Sequence, residues 1–435
     1  MSNVETLGAL ERRLNAVIPQ QQLRGEIEAR LKRLGRTAKV HGFRPGKVPF
    51  NILRQQYGAQ VKQEVLGDAL QRSFAEATQA NRLKVAGYPE FEVKAVDPSA
   101  ELIEYSATFE IYPEVVLGDI GAESVERVTH ILSDADVDNT IVTLRKQRAV
   151  FEPTSRAAQI EDRVRMDFSG KLDGVVFEGG EASGFTILLG AGRMLPDFEA
   201  AIIGMKAGET KSFDMTFPKD YHGKDVAGKL VNFTITLHEV GAPRLPELDA
   251  EFARSLGVED GDLNKLKAEI RDNLVREVKR RLKARNKNNV TDMLLKVAQL
   301  EAPKALVDSE VQNLMQQSMN DMRERGVKIP QGKSLPPELF TESAQKRVKL
   351  GLIMDDMVKR QDLNAKPEQV KSLVWEHAQS FEHPDELVKW YYSDPQNLQE
   401  LKNLVLEDNV VEWVMSVAKV VDRVMDFNEL MGTDR

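Results

Sequence analysis

Between about Asp162 and Pro243 the sequence changes texture, and that change limits the architectures open to the whole chain. Beyond this stretch apolar residues recur every third or fourth position, and before it that spacing is mixed with short alternating runs. Inside it they alternate over short runs broken by glycine pairs. Strands read as Arg163–Lys171, Phe185–Leu189 and Val231–Val240, separated by Asp173-Gly174 and Gly179-Gly180, with one short helix near Pro196–Ile203. A small β domain is therefore set between a mixed segment and a helical one. At 435 residues the chain has room for two to four domains.

The flanks are legible in the same way. Leu14, Ala16 and Ile18 alternate up to Pro19 and predict a strand. Leu23, Ile27, Leu31 and Leu34 predict a helix stopped by Gly35. A Gly/Pro-rich turn spans Gly42–Pro49. Val61, Val65, Leu66, Leu70 and Phe74 predict a second helix, and Ile103, Tyr105, Ala107, Phe109 and Ile111 a strand ending at Pro113. Residues 1–112 thus read as an α+β domain. Residues 113–150 read as a connector whose helix starts at Ser133-Asp134-Ala135-Asp136, carries Val137, Ile141 and Leu144 on one face, and is closed by Phe151-Glu152-Pro153. The β domain is given the bounds 151–242. From 243 to 435 the pattern is helical: Leu263, Leu266, Ile270, Leu274, Val278 and Leu282 first, then a helix opened by Pro303, then patterns over 338–363, 367–381, 385–392 and 396–422. No repeat of 34 or 40 residues is present.

Several function classes drop out. Cysteine is absent, which removes disulfides, thiolate metal sites and cysteine nucleophiles. The six His form no HExxH or similar pair, so neither a metal nor another cofactor is predicted. No secretory signal is visible, and no apolar run reaches the roughly 18 residues of a membrane span. The net charge of −8 argues against a general nucleic-acid binder. Yet between Gln22 and Gln56 nine Lys/Arg stand against two acids, a local surplus of seven that marks a surface for a polyanionic or mixed partner.

In the middle segment the order is Phe168-Ser169-Gly170, Asp173-Gly174, Phe177-Glu178, Phe185, Met194-Leu195-Pro196-Asp197-Phe198-Glu199, Gly204-Met205-Lys206-Ala207-Gly208-Glu209, Phe217-Pro218, Tyr221 and Phe233. This resembles the FKBP family of prolyl isomerases along essentially the whole segment. The resemblance implies an antiparallel β half-barrel with one short helix. It also implies a catalytic pocket lined by Phe168, Phe177, Glu178, Phe185, Leu195, Phe198, Tyr221 and Phe233, with Phe198 as its floor, Glu178 as its acid and Tyr221 as its hydroxyl donor. Phe198 stands where that family usually has Trp, and Glu178 where it has Asp. Such chemistry needs no nucleophile, metal or general base. An apolar surface that accommodates the twisted amide is enough.

The turn after the basic helix, His41-Gly42-Phe43-Arg44-Pro45-Gly46-Lys47-Val48-Pro49, presents one aromatic and two cations between glycines. It resembles the ribosome-docking signature of bacterial trigger factors, with Pro45 where that family often has Lys. Further matches at Tyr57-Gly58, Tyr112-Pro113-Glu114-Val115, Leu144-Arg145-Lys146-Gln147, Leu245-Pro246-Glu247-Leu248 and Phe427-Asn428-Glu429-Leu430-Met431 extend the resemblance over the chain. It implies a ribosome-docking site at Phe43, Arg44, Pro45, Gly46 and Lys47, and partners in large-subunit protein and RNA near the exit tunnel. Residues 113–150 and 243–435 are implied to form a helical body with arms that holds nascent and unfolded polypeptides. A cytoplasmic, partly ribosome-associated protein follows, with no membrane and no small-molecule substrate among its partners, and with room for a homodimer off the ribosome. Met315, Met319 and Met322 fall on one helical stripe, read as core before client surface. The run Arg276–Lys287 reads as a solvated helix face. Two other functions stay open on sequence: an isomerase independent of ribosomes, and a holding scaffold with a silent pocket.

Overall fold

Alternating apolar side chains make a strand useful only when something covers one face, and in the N-terminal segment two helices do so. The computed structural model describes residues 3–41, 43, 46–94, 101–221, 223–327, 335–379, 381 and 383–432. Strands β1 (Asn3–Thr6) and β2 (Glu11–Pro19) precede helices α1 (Gln20–Leu34) and α2 (Phe50–Ala80), and β3 (Val85–Val93) and β4 (Leu102–Ile111) follow. The sheet is antiparallel in the order β1-β2-β4-β3, with Leu14 opposite Ala107 and Ile18 opposite Ile103. Its covered face packs Leu14, Tyr105 and Phe109 against Leu23 and Leu31 of α1 and Val61, Val65 and Phe74 of α2. Strand β3 escaped the periodicity because its register breaks between Ala86 and Glu90, around Gly87 in the left-handed region.

The short strands β5 (Val116–Leu117) and β6 (Ser124–Thr129) lead into α3 (Asp134–Gln147). The predicted capping box is present: Asp136 N–H donates to Ser133 Oγ, and Ser133 N–H donates to the Asp136 carboxylate at 2.8 Å. Phe151-Glu152-Pro153 differs from its reading as a closing turn. It lies within a strand, β7 (Val150–Pro153), which adds to the β domain. There β8 (Arg163–Leu172), β9 (Val175–Leu188), α4 (Pro196–Ile202), β10 (Thr210–Thr216) and β11 (Leu230–Arg244) follow. All its strand pairs are antiparallel, in the order β10-β11-β8-β9, with β7 beside the far end of β11. Asp173-Gly174, both at positive φ, turn β8 into β9 as a two-residue hairpin requires.

Beyond it come α5 (Ala250–Ser255), α6 (Leu263–Val297), β12 (Ala298–Gln299), α7 (Lys304–Glu324), α8 (Glu338–Gln361), α9 (Pro367–Ala378), α10 (Pro384–Ser393), α11 (Gln399–Val417), β13 (Lys419–Val424) and α12 (Phe427–Met431). Leu266 and Ile270 of α6 pack with Val137 and Ile141 of α3 and Phe252 of α5. Further along α6, Val290, Met293 and Leu294 pack with Ile353 and Met357 of α8 and Val410 and Val414 of α11. Two features correct the helical reading. The pattern over 396–422 ends at Val417, and Lys419–Val424 is a strand paired with β6. The basic run 276–287 is more than a solvated face, because Arg281 donates to the carbonyls of Leu430 and Met431. Contacts divide the chain into two units, Met1–Val128 with Ala284–Arg423 and Thr129–Lys283 with Val424–Arg435. Among the described residues no helix is long and apolar enough to cross a membrane. The fold class is multidomain α+β, with a mostly helical C-terminal part.

Candidate functional site

In the β domain the aromatic positions singled out from the sequence converge. Phe168, half-buried on β8, has its ring centroid 5.5 Å from Phe185 of β9, 5.6 Å from Phe198 of α4 and 6.3 Å from Phe233 of β11. Phe198 and Phe233 meet edge to face at 5.3 Å, and Phe177 reaches Phe233 at 6.2 Å. Tyr221 joins through Phe217, 4.7 Å away, and half-buried Leu195 packs on the same core. Edge-to-face packing suits the ring quadrupole and holds each plane in a defined direction.

Burial is graded across this cluster. Phe198 is 1% exposed and Phe233 and Phe217 are buried as well, whereas Phe168, Phe177, Leu195 and Tyr221 are half-buried and Phe185 is 36% exposed. The result is a rigid aromatic floor under a ring of side chains that still reach solvent. Glu178 is exposed beside Phe177, and its carboxylate has no hydrogen bond among the described residues. Phe213, stacked on Phe233 at 6.0 Å, was not singled out, and Phe217 and Met194, present in the motif, were not assigned to the pocket. Alternation of Phe213, Met215 and Phe217 was the available signal.

Glycine makes this packing possible. The β8–β9 register shifts between Ser169 and Lys171, leaving Phe177–Gly180 bulged opposite Gly170. A Cβ on Gly170 would lie 2.5 Å from Phe233 Cε1 and 2.9 Å from Phe177 Cε1, so the Phe-Ser-Gly motif needs its glycine for ring space. Next to Phe168, the Asp167 carboxylate accepts the Gly184 N–H at 2.6 Å and faces His238 Nε2 at 2.8 Å. The Gly184 hydrogen bond first, and His238 second, hold the Asp167 carboxyl below the usual carboxylate range. The same bond fastens the irregular stretch of β9, between Ala182 and Phe185, where the register with β8 shifts.

The second predicted site is the turn between α1 and α2. Its base is a small core of Ala38, Val40 and Leu53, and Gly35 lets Leu53 in: a Cβ there would meet Leu53 Cδ1 at 2.6 Å. From this base Phe43 and Lys47 stand exposed, and Gly46, at φ +81°, donates its N–H to the Gly35 carbonyl at 3.2 Å. Arg44 and Pro45 lie outside the described residues. Arg30 pairs with Glu64 and Asp68, and Lys32 with Glu28. Arg33, Arg36, Lys39, Lys47 and Arg54 pair with no acid among the described residues, so net positive charge gathers toward the turn.

Comparison with known proteins agrees over the chain's length. A family model described as bacterial trigger factor protein matches residues 1–144, and one described as its C-terminus matches 262–416. Between them a model for FKBP-type peptidyl-prolyl cis-trans isomerase matches 154–238. The chain is similar to the trigger factor of Nitrosospira multiformis, 49% identical over 432 residues and 99% of each chain. It is likewise 50% identical to that of Laribacter hongkongensis over 99% of each chain, and 52% identical to that of Dechloromonas aromatica over 97% of each.

Proposed function

The chain belongs to the bacterial trigger factor family, ribosome-associated chaperones that carry an FKBP-type prolyl isomerase domain, and on that footing we propose how its parts divide the work. Isomerisation takes place on the aromatic surface formed by Phe168, Phe177, Phe185, Leu195 and Tyr221 over the floor of Phe198 and Phe233. The observation that carries this is the graded burial: fixed rings below, accessible rings above, and no cation among the residues of the cluster. Twisting a peptide bond forfeits resonance and faces a barrier of about 18–20 kcal/mol. The twisted amide has less charge separation than the planar one, so a water-poor aromatic surface favours it. The Tyr221 hydroxyl and the Glu178 carboxylate at the rim then hold polar groups of the flanking chain.

Speed gives the site its use. Unaided X–Pro isomerisation takes tens to hundreds of seconds, and synthesis proceeds at about 5–20 residues per second. Docking is assigned to residues 1–112, through Phe43, Arg44, Pro45, Gly46 and Lys47, on large-subunit protein and RNA near the exit tunnel. Holding is assigned to 113–150 with 243–435, and isomerisation to 151–242. Work in the cytoplasm, and self-association into a homodimer away from ribosomes, complete the reading.

Ribosome co-sedimentation tests the docking half. An Arg44→Ala/Lys47→Ala variant is expected to lose most of its binding, and unchanged sedimentation would refute the loop assignment. Proline-limited refolding of a model substrate tests the other half. Phe168→Ala should lose most of the acceleration while aggregation suppression persists, and acceleration equal to the parent's would place the chemistry elsewhere.

A further inference from the structure

We propose that Glu199 is a positioning residue that sets the loop Gly190–Leu195, and through it the wall against which the residue preceding proline is read. The inference rests on the reading of the aromatic surface as the isomerase site. Glu199 follows the floor residue Phe198 in the first turn of α4, and its side chain ties that helix, whose first backbone bond fixes the loop's end, back to the loop's start. Its Oε2 accepts the Gly190 N–H at 2.8 Å, and its own N–H donates to the Leu195 carbonyl at 3.1 Å. Between these anchors lie Met194 and Leu195, which pack half-buried against the aromatic core.

The Gly190 end has little freedom to move. Leu189 is buried and donates its N–H to the Asp162 carbonyl at 2.9 Å. Gly190 itself sits at φ +83°, and a Cβ there would meet Ile160 Cγ2 at 2.8 Å. Reach from α4 to this fixed point therefore decides where the intervening side chains lie.

Glu199 is an expensive choice for a purely structural tie. It is only 8% exposed, and Oε1 makes no hydrogen bond among the described residues. Buried polar atoms are nearly always partnered, and a half-satisfied acid costs stability. A charged acceptor makes a stronger and shorter bond to an N–H than a neutral one. That trade, stability given up for a firmly placed loop, suits a residue whose duty is geometric.

The full chain, labelled on glycine nitrogen, tests this with Glu199→Ala and Glu199→Gln. The readouts are hydrogen exchange at the Gly190 amide, the melting midpoint, and the ratio of kcat/KM for peptides with Leu or Ala before proline. In Glu199→Ala, Gly190 exchange should rise about tenfold or more and the Leu/Ala ratio should change at least threefold, with no fall in melting midpoint to match. Glu199→Gln, which keeps an acceptor, should restore both to within about twofold. Unchanged Gly190 protection in Glu199→Ala overturns the proposal. So does an unchanged ratio once the amide is released, or a glutamine variant no better than alanine. Phe168→Ala run alongside separates this from the pocket reading: if it stays fully active while Glu199→Ala loses discrimination, the pocket reading fails and the loop assignment stands.

Discussion

The β domain and the helical stretch 284–417 bury their apolar residues in opposite ways. In the β domain one continuous core runs from Val164 and Met166 through Phe198 to Val231 and Leu237, and every aromatic proposed for the pocket leans on it directly or through one neighbour. In the helical stretch the buried side chains fall into separate clusters. One joins α6, α8 and α11, one joins α7 to α8, and one gathers α9, α10 and α11. Around these small cores Leu339, Trp375, Phe381, Trp390 and Tyr392 stand exposed. A surface that must distinguish a twisted amide from a planar one needs rings that do not yield, and close packing supplies that. A surface that must accept many unfolded sequences gains from apolar groups with loose support.

The contrast can be broken most forcefully at Phe233. It touches Phe168, Phe177, Phe198, Phe213 and Phe217, so Phe233→Ala should cost about 3–5 kcal/mol and lower the β domain's melting transition by roughly 12–40 °C. Calorimetry of the full chain should show the other transitions in place, and ribosome co-sedimentation should be unaffected. A uniform loss across all transitions would erase the distinction drawn here. Phe198→Ala would mix folding with catalysis for the same reason.

Sharpening it calls for side chains near the surface on each side. Phe185→Ala should reduce kcat/KM toward prolyl peptides about tenfold with little change in stability, because that ring is already partly in water. Trp390→Ala, at a residue 52% exposed, should shift stability by less than about 0.5 kcal/mol. It should weaken aggregation suppression about twofold, since many spots share that work, and leave isomerisation alone. A large isomerase defect from Trp390→Ala would show that the two regions are not separable.

The smallest expected effect is acid-dependent. Asp167 has a folded-state pKa below its unfolded value, so its contribution is present above pH about 4 and is lost as pH falls through the folded value. Asp167→Asn should therefore lie slightly below the parent in stability at neutral pH and converge with it in acid. Parallel stability curves down to pH 3 would count against the Gly184 bond as the cause.

What could be read from the sequence depended on how far each structural cause reaches along the chain. The aromatics of the β domain were legible because bulge, hairpin and ring contacts impose local spacings of glycine and phenylalanine. Helices α1, α2 and α6 to α10 were legible from apolar period alone. Strand β13 was not, because its partner β6 lies some three hundred residues earlier, where Arg127 grips Asp422 through two hydrogen bonds of 2.6 and 2.9 Å. Nothing local separates Lys419–Val424 from the helix before it. Glu199 appeared in the motif but without a role, since a carboxylate reaching back nine residues to one N–H leaves no periodic trace. Phe213 was passed over although its alternation with Met215 and Phe217 was in plain view.

The division of α6 between Lys283 and Ala284 also has a consequence in time. The β domain's last strand ends at Arg244, so all its pieces have been made once the chain has grown that far. The unit that begins at Met1 is completed only by residues up to Arg423. At about 5–20 residues per second the interval is roughly 10–40 s. For that interval the first segment of this chaperone is itself an unfinished chain, with its apolar faces not yet covered by the residues that complete its unit.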